Sequence, residues 1–351
     1  MIDYLIVGLG LAGVSFSETL QQNQKTFKVV SDESQNSSLV AGGLYNPVIL
    51  KRFTLAWKAK EQLDLALPFY NGLEKKLSVQ LNYKLPVLRR FVSVEEQNLW
   101  FEASDKTDLG EFLSTDIHQN TNPNIDAPFG YGEVLGTGKI DTKKLIQAYK
   151  EHLVGQNCLL PETFDFKALR CETNFLEYKS IKAKNIVFAE GFGIKNNPYF
   201  KYLPVHGNKG EYVFIKAQNL KEKDAIKASI FCIPEGDDMY RIGANYDRNG
   251  LSNKPTGKAK TELLAALDRF IKCDYEVMDH IAGIRPTVVD RRPLIGQHPK
   301  HKNLYLLNGF GSRGVLIAPY AAQQLYHLIE NGMAVDQQLD ISRFIKKYYE
   351  D

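Results

Sequence analysis

The spacing of apolar residues along the chain switches between two periods. It opens on an unbroken apolar run, Tyr4-Leu5-Ile6-Val7, which breaks at Gly8-Leu9-Gly10-Leu11-Ala12-Gly13 and resumes with helical spacing. Such a run predicts a strand covered on both faces, as in a parallel sheet. A second run, Phe27-Lys28-Val29-Val30, ends in Ser31-Asp32-Glu33, so the chain begins as a β-α-β unit. Helical spacing returns from about Ala56 to Leu77 through Leu63, Phe69, Tyr70 and Leu73, and a mixed strand-and-turn stretch is expected from there to about Gly136. Asp141 or Thr142 is placed to cap a helix that starts near Leu145. Short strands are expected from Phe164 to Phe188, the last closing on Ala189-Glu190-Gly191. Between Leu203 and Ile284 the period falls to two in Glu211–Ile215 and Met239–Ala244, which predicts antiparallel strands around one helix near Lys258 to Phe270. The run Leu304–Leu307 then leads through Gly309-Phe310-Gly311-Ser312-Arg313-Gly314 into helical spacing to Ile329.

These elements predict an α/β chain, α+β overall. A doubly wound, Rossmann-like nucleotide domain is assembled from residues 1–55, 136–202 and 284–351, and an antiparallel β-rich domain from 56–135 and 203–283.

The first turn has the G-x-G-x-x-G spacing that diphosphate binding requires. Gly8 makes the bend, Gly10 admits a close backbone approach, and Gly13 lets the helix lie against the sheet. The diphosphate is expected on the free N–H groups at the helix N-terminus, beside Leu11 and Ala12. Asp32 follows at the distance where a carboxylate meets the adenosine ribose, and Glu33 is an equal alternative by spacing. The C-terminal turn repeats the glycine spacing, but fewer than forty residues follow it, too few for a second β-α-β unit. A dinucleotide gripped again by the end of the chain points to a flavin rather than a free nicotinamide.

Composition narrows the classes. The apolar share is 44%, the charged share 24% and the net charge +3, ordinary for a globular chain. Basic doublets such as Arg89-Arg90 and Arg291-Arg292 are scattered, so no nucleic-acid footprint is demanded. The four cysteines lack C-x-x-C spacing, and no histidine cluster accompanies them; reduced thiols and no metal are expected. No stretch reaches membrane-spanning length and no leader precedes the first strand, which predicts a soluble, cytoplasmic protein.

Four blocks in order resemble the D-amino-acid oxidase and glycine oxidase superfamily of FAD enzymes. They are Gly8 to Gly13 with Asp32; Ile186 to Gly191; Gly283-Ile284-Arg285-Pro286 with Asp290 to Gly296; and Gly309 to Pro319. The resemblance implies non-covalent FAD, since no cysteine lies in the last block. It places Gly8, Gly10, Leu11, Ala12, Gly13, Asp32, Glu33, Gly43, Ala189, Gly191, Gly309, Gly311, Ser312, Arg313, Gly314 and Val315 at the cofactor. It gives Arg285 the substrate carboxylate, a task that suits the bidentate guanidinium, and sets Tyr45 beside the flavin as a second substrate contact. The implied reaction is oxidation of a C–N bond in a small amino acid or secondary amine by hydride transfer, with no side chain assigned as catalytic. Lys209-Gly210-Glu211 stands where the family often has arginine-glycine-glutamine, and this departure receives no role. His206 is expected to be structural; Tyr212, Tyr240 and Tyr246 on the β-rich domain are candidates to line the pocket, with packing the favoured expectation for each. Gly43-Leu44-Tyr45-Asn46-Pro47 and Gly311–Gly314 also resemble the FAD domain of the bifunctional tRNA wobble-uridine enzyme, which makes tRNA a second, less favoured partner. An electron-transfer dehydrogenase with a protein or quinone acceptor is the third class.

Overall fold

The unbroken apolar runs become the centre of a parallel sheet in the computed structural model, which describes residues 1–349. Strand Ile2–Val7 lies between Phe27–Val30 and Ile181–Phe188, and Ile181–Phe188 pairs on its far side with Leu304–Asn308, all parallel. Leu159–Leu160 extends one edge in parallel, and Leu294–Gln297 closes the other antiparallel to Leu304–Asn308. Successive residues of Ile2–Val7 serve two cores. Tyr4 and Ile6 meet helices Leu11–Gln22 and Gly314–Asn331, while Leu5 and Val7 meet Phe164, Phe188 and Phe200 on the opposite face. Burial on both sides is why the run carries no polar alternation.

The second unit is an eight-stranded sheet in the order Glu276–Val288, Val205–Lys216, Met239–Gly243, Phe231–Gly236, Ala225–Lys227, Val87–Arg90, Tyr131–Val134, Leu113–His118. Ala225–Lys227 pairs in parallel with Val87–Arg90, which joins the two distant chain segments into one sheet. Helix Ala59–Leu77 packs instead on Gly314–Asn331 and Thr142–Gly155, so this part of segment 56–135 sits in the helical layer of the parallel sheet. Asp141 caps Thr142–Gly155, its carboxylate accepting from Lys144 N–H at 3.0 Å.

One helix departs from the expected strand-and-turn reading. Val94–Ser104 is helical, and buries only Trp100, Ala103 and Ser104, too narrow a stripe to show as period 3.6. Its signal was a capping box: Ser93 Oγ accepts from Glu96 N–H at 3.2 Å, and Glu96 Oε2 accepts from Val92 N–H at 2.8 Å.

Alternation in Val205–Lys216 sends Asn208, Gly210 and Tyr212 to a cavity between the units and Lys209 and Glu211 to the other face. There Lys209 and Glu211 are completely buried as an ion pair, Nζ to Oε1 at 3.1 Å. Glu211 also accepts from Thr256 N–H (2.7 Å) and Thr256 Oγ (2.9 Å), and His280 Nε2 stands 3.0 Å from it. Lys209 Nζ donates to the Lys254 carbonyl. Removing one partner strands the other charge in the core, so Lys209→Met is expected to lower stability by ~3 kcal/mol in urea titration. Lys209→Met with Glu211→Leu should recover part of that loss; equal or greater destabilisation in the double variant would contradict the pairing.

Candidate functional site

Where the parallel strands end, the backbone leaves no room for side chains. Gly8 has φ +103°, and a Cβ there would lie 2.5 Å from the Ala189 carbonyl oxygen; a Cβ at Gly13 would lie 2.0 Å from that of Gly8. Gly10 precedes helix Leu11–Gln22 and no side chain caps that helix, although the Leu11 N–H donates to Ser38 Oγ at 3.2 Å. The open first turn fits an anion.

The C-terminal turn stands against the first. A Cβ at Gly314 would lie 3.1 Å from Leu11 Cδ1, and the two helices pack along their length. Gly311 N–H donates to the Pro286 carbonyl at 3.0 Å, tying the turn to the strand that carries Arg285. Arg313 precedes helix Gly314–Asn331, and its Nη1 donates only to the Asn46 carbonyl, at 3.2 Å. Burial pulls its pKa below the ordinary arginine value, and among the described residues no carboxylate forms an ion pair with it.

Both turns line one cavity of about 1950 Å³ that runs between the units. Gly8, Gly10, Leu11, Ala12, Asp32, Glu33, Gly43, Ala189, Gly191, Gly309, Gly311, Ser312, Arg313, Gly314, Val315 and Arg285 all line it. Gly13 does not; it acts one step behind, through its contact with Gly8.

Asp32 and Glu33 are told apart by their surroundings. Glu33 has φ +61°, and its carboxylate is taken by Lys150. Asp32 accepts from Ser34 N–H at 3.0 Å; partial burial raises its pKa, but hydrogen bonds from Ser34 outweigh this and hold the carboxyl below the usual range. Glu190 joins them, a residue the sequence reading passed over although it sits in the Ala189-Glu190-Gly191 strand end. Its Oε2 accepts from the buried Asn197 Nδ2 at 2.7 Å. Burial pushes the Glu190 carboxyl up to about 7, and the charge of Asp32 adds to the shift.

Arg285 lies flat on Gly210, where a Cβ would come 1.9 Å from its Nη2. Its Nη1 donates to the Asn245 carbonyl at 3.3 Å, and its guanidinium stands 4.9 Å from the Tyr246 ring centre. Asp290, the nearby acid in sequence, pairs with Arg343 at 2.9 Å, and among the described residues Arg285 faces the cavity without a carboxylate partner. Tyr212 also lines the cavity, its hydroxyl packed against Gly42.

Tyr45 is a correction. Its ring is buried in the three-stranded sheet formed by Leu44–Tyr45, Gly138–Ile140 and Asn82–Lys84, with the hydroxyl on Asn82 Oδ1 at 3.0 Å. Only its neighbours Leu44 and Asn46 reach the cavity. His206 is exposed and off the cavity, and Tyr240 is buried in the second sheet's own core. Among the described residues no cysteine or histidine lines the cavity, no cluster fits a metal ion, and no helix is long and apolar enough to cross a membrane.

The family model described as FAD dependent oxidoreductase matches residues 3–328, and the chain belongs to this family. Two curated relatives match in part. The chain is 27% identical over 179 residues to the tRNA 5-methylaminomethyl-2-thiouridine biosynthesis bifunctional protein MnmC of Shewanella halifaxensis, covering 40% of this chain and 28% of that protein. It is 28% identical over 130 residues to glycine oxidase of Pseudomonas aeruginosa, covering 36% of each. The chain thus spans about a third of the length of these relatives. Among solved structures, glycine oxidase from Geobacillus kaustophilus superposes with a TM-score of 0.79 at 18% identity, covering 98% of this chain and 97% of that one. L-proline dehydrogenase from P. horikoshii gives 0.78 at 14%, covering 99% of both. These likenesses show the fold. FAD is the cofactor, and the glycine cradle, the two open helix ends and Asp32 fit it.

Two outcomes follow for cofactor binding. Asp32→Ala is expected to weaken FAD binding by about tenfold, the scale of one charge-assisted hydrogen bond, while Glu33→Ala changes it less than twofold; fluorescence titration of FAD-free protein would reveal the reverse order if Glu33 holds the ribose. Glu190, whose folded value lies above the ordinary 4.5, binds more protons folded than unfolded between pH 4.5 and 7. Its contribution to the stability of FAD-free protein is therefore fully present below the unfolded value and lost as pH rises through 7. Glu190→Gln should flatten the fall in melting temperature across that window, and an unchanged profile would contradict the assignment.

Proposed function

We propose that this FAD dependent oxidoreductase oxidises the C–N bond of a small amine that carries a carboxylate, an amino acid or a secondary amine. The observation that carries the reading is Arg285: a guanidinium lining the cavity, unpaired with any acid among the described residues, on the strand that the Gly311 turn grips through Pro286. When bound, FAD supplies the ring that takes up two electrons and the hydrogen from carbon.

The protein's own part is to bind and orient. Arg285 receives the carboxylate, and its rotation is restrained by Gly210 below, the Asn245 carbonyl at one nitrogen and Tyr246 on its face. The N-terminus of the helix Gly314–Asn331 and the desolvated Arg313 favour negative charge where they face the cavity. Tyr212 and Ile233 wall off the side beneath Gly42. Non-covalent retention of FAD is part of the same reading, since the four cysteines stand off the cavity.

A second reading, removal of an N-carboxymethyl group from modified tRNA, is favoured by the similarity to bifunctional proteins of tRNA 5-methylaminomethyl-2-thiouridine biosynthesis and by Lys51, Arg248 and Arg291, which line the cavity without forming ion pairs among the described residues. Anaerobic bleaching of the flavin band separates the two. Amino acids or N-substituted glycines should bleach it, and Arg285→Ala should reduce kcat/KM by roughly 30- to 1000-fold (about 2–4 kcal/mol) for carboxylated amines only. Bleaching by modified tRNA alone would move the second reading to first place, and an Arg285→Ala variant with unchanged kcat/KM would remove the clamp.

A further inference from the structure

The acids of the cavity come from one structural unit, which also supplies cations such as Lys150 and Arg313. Asp32, Glu33, Glu151, Glu162 and Glu190 all come from the parallel-sheet unit. The antiparallel sheet and its loops contribute Arg89, Lys227, Arg248 and Arg285 to the lining and, among the described residues, no carboxylate. The half of the cavity that receives the substrate is therefore cationic beyond what one carboxylate requires.

Lys227 is the second fixed cation. It ends the strand Ala225–Lys227, its Nζ donates to the Ser229 carbonyl at 2.9 Å, and it stands 4.7 Å from the Phe231 ring centre. Among the described residues no acid pairs with it, whereas its neighbour Arg89 is satisfied by Glu96 and by the Ala228 carbonyl at 2.8 Å. Burial, and then the charge of Arg89, push the Lys227 ammonium down to about 8. A partly buried cation beside a like charge is relieved when an anion arrives.

Strand order sets the distance between the anchors. The Arg285 guanidinium rests on Gly210 of Val205–Lys216, and Lys227 Nζ lies over Phe231 of Phe231–Gly236. Met239–Gly243 is the one strand between them, and Phe231 is in register with Tyr212, two residues beyond Gly210, so the two anchor points stand roughly 12 Å apart along the sheet. The wall between them includes Tyr212 and Gly243.

We infer that the substrate is an amine bearing two anionic groups, one on Arg285 and the other, a carboxylate or a phosphate, on Lys227. This rests on the amine-oxidation reading and narrows it, because an amino acid with a single carboxylate would leave Lys227 unused.

Unreactive acids that perturb the flavin absorption of FAD-loaded protein at pH 7 and low salt provide the test. Adipate or suberate should bind at least tenfold tighter than hexanoate, and Lys227→Met should remove that advantage while hexanoate affinity stays within twofold. Lys227→Arg should keep it. A preference for 6-phosphonohexanoate over the dicarboxylates would assign the second anion as phosphate. Equal binding of mono- and dicarboxylates by the unmodified protein, or an unchanged ratio in Lys227→Met, overturns the inference. In that case the Arg285 clamp still stands if hexanoate binds and Arg285→Ala abolishes it. If no acid perturbs the flavin in any variant, both the inference and the clamp fall.

Discussion

Close backbone contact at the crest of the parallel sheet is the constraint on which the rest depends. Gly13 lets the first helix descend until its Cα stands over the Gly8 carbonyl, and Gly8 in turn passes against Ala189. Any side chain at either glycine would lift the helix from the strands and withdraw its N-terminus from the cavity. Gly314 brings the last helix against the same place, so two helix ends converge on one space. Their dipoles and free N–H groups make that space receptive to negative charge without a metal-binding cluster among the described residues.

A second close approach, on the other unit, performs the same task for the substrate. Gly210 has no side chain, and the guanidinium of Arg285 occupies the volume one would fill. The residues on either side of it, Lys209 and Glu211, turn away and lock the back of the strand to the segment ending at Thr256. That segment carries Asn245 and Tyr246, the two contacts of Arg285. The same triplet thus supplies the floor of the clamp with its middle residue and a buried anchor with the outer two. The charged pair at the outer positions is coherent because each member needs the other in a site without water.

Much of this was legible along the chain. The glycine turns, Asp32 and Arg285 each carry a chemical requirement that spacing expresses, because flanking runs fix which element ends where. The helix Val94–Ser104 was missed since its buried face is only three residues wide, although Ser93 and Glu96 marked its start. Tyr45 was misplaced because its neighbours Leu44 and Asn46 do reach the cavity, and alternation in a two-residue strand turns the ring the other way. Glu190 and Lys227 had no local mark: a lone acid or lysine at a strand end reads as solvated.

By itself, the sequence determined the opening β-α-β unit, the two helix ends and the family, since these rest on local periodicity and on glycines that only a few backbone geometries demand. Tertiary structure alone decided which charges stand without a partner. Asp290 turned to Arg343 and Glu33 to Lys150, while Arg285 and Lys227 were left facing one cavity from strands that are far apart in the chain. Ion pairing depends on distance in space and on exclusion of water, and neither is written in the spacing of residues along the chain.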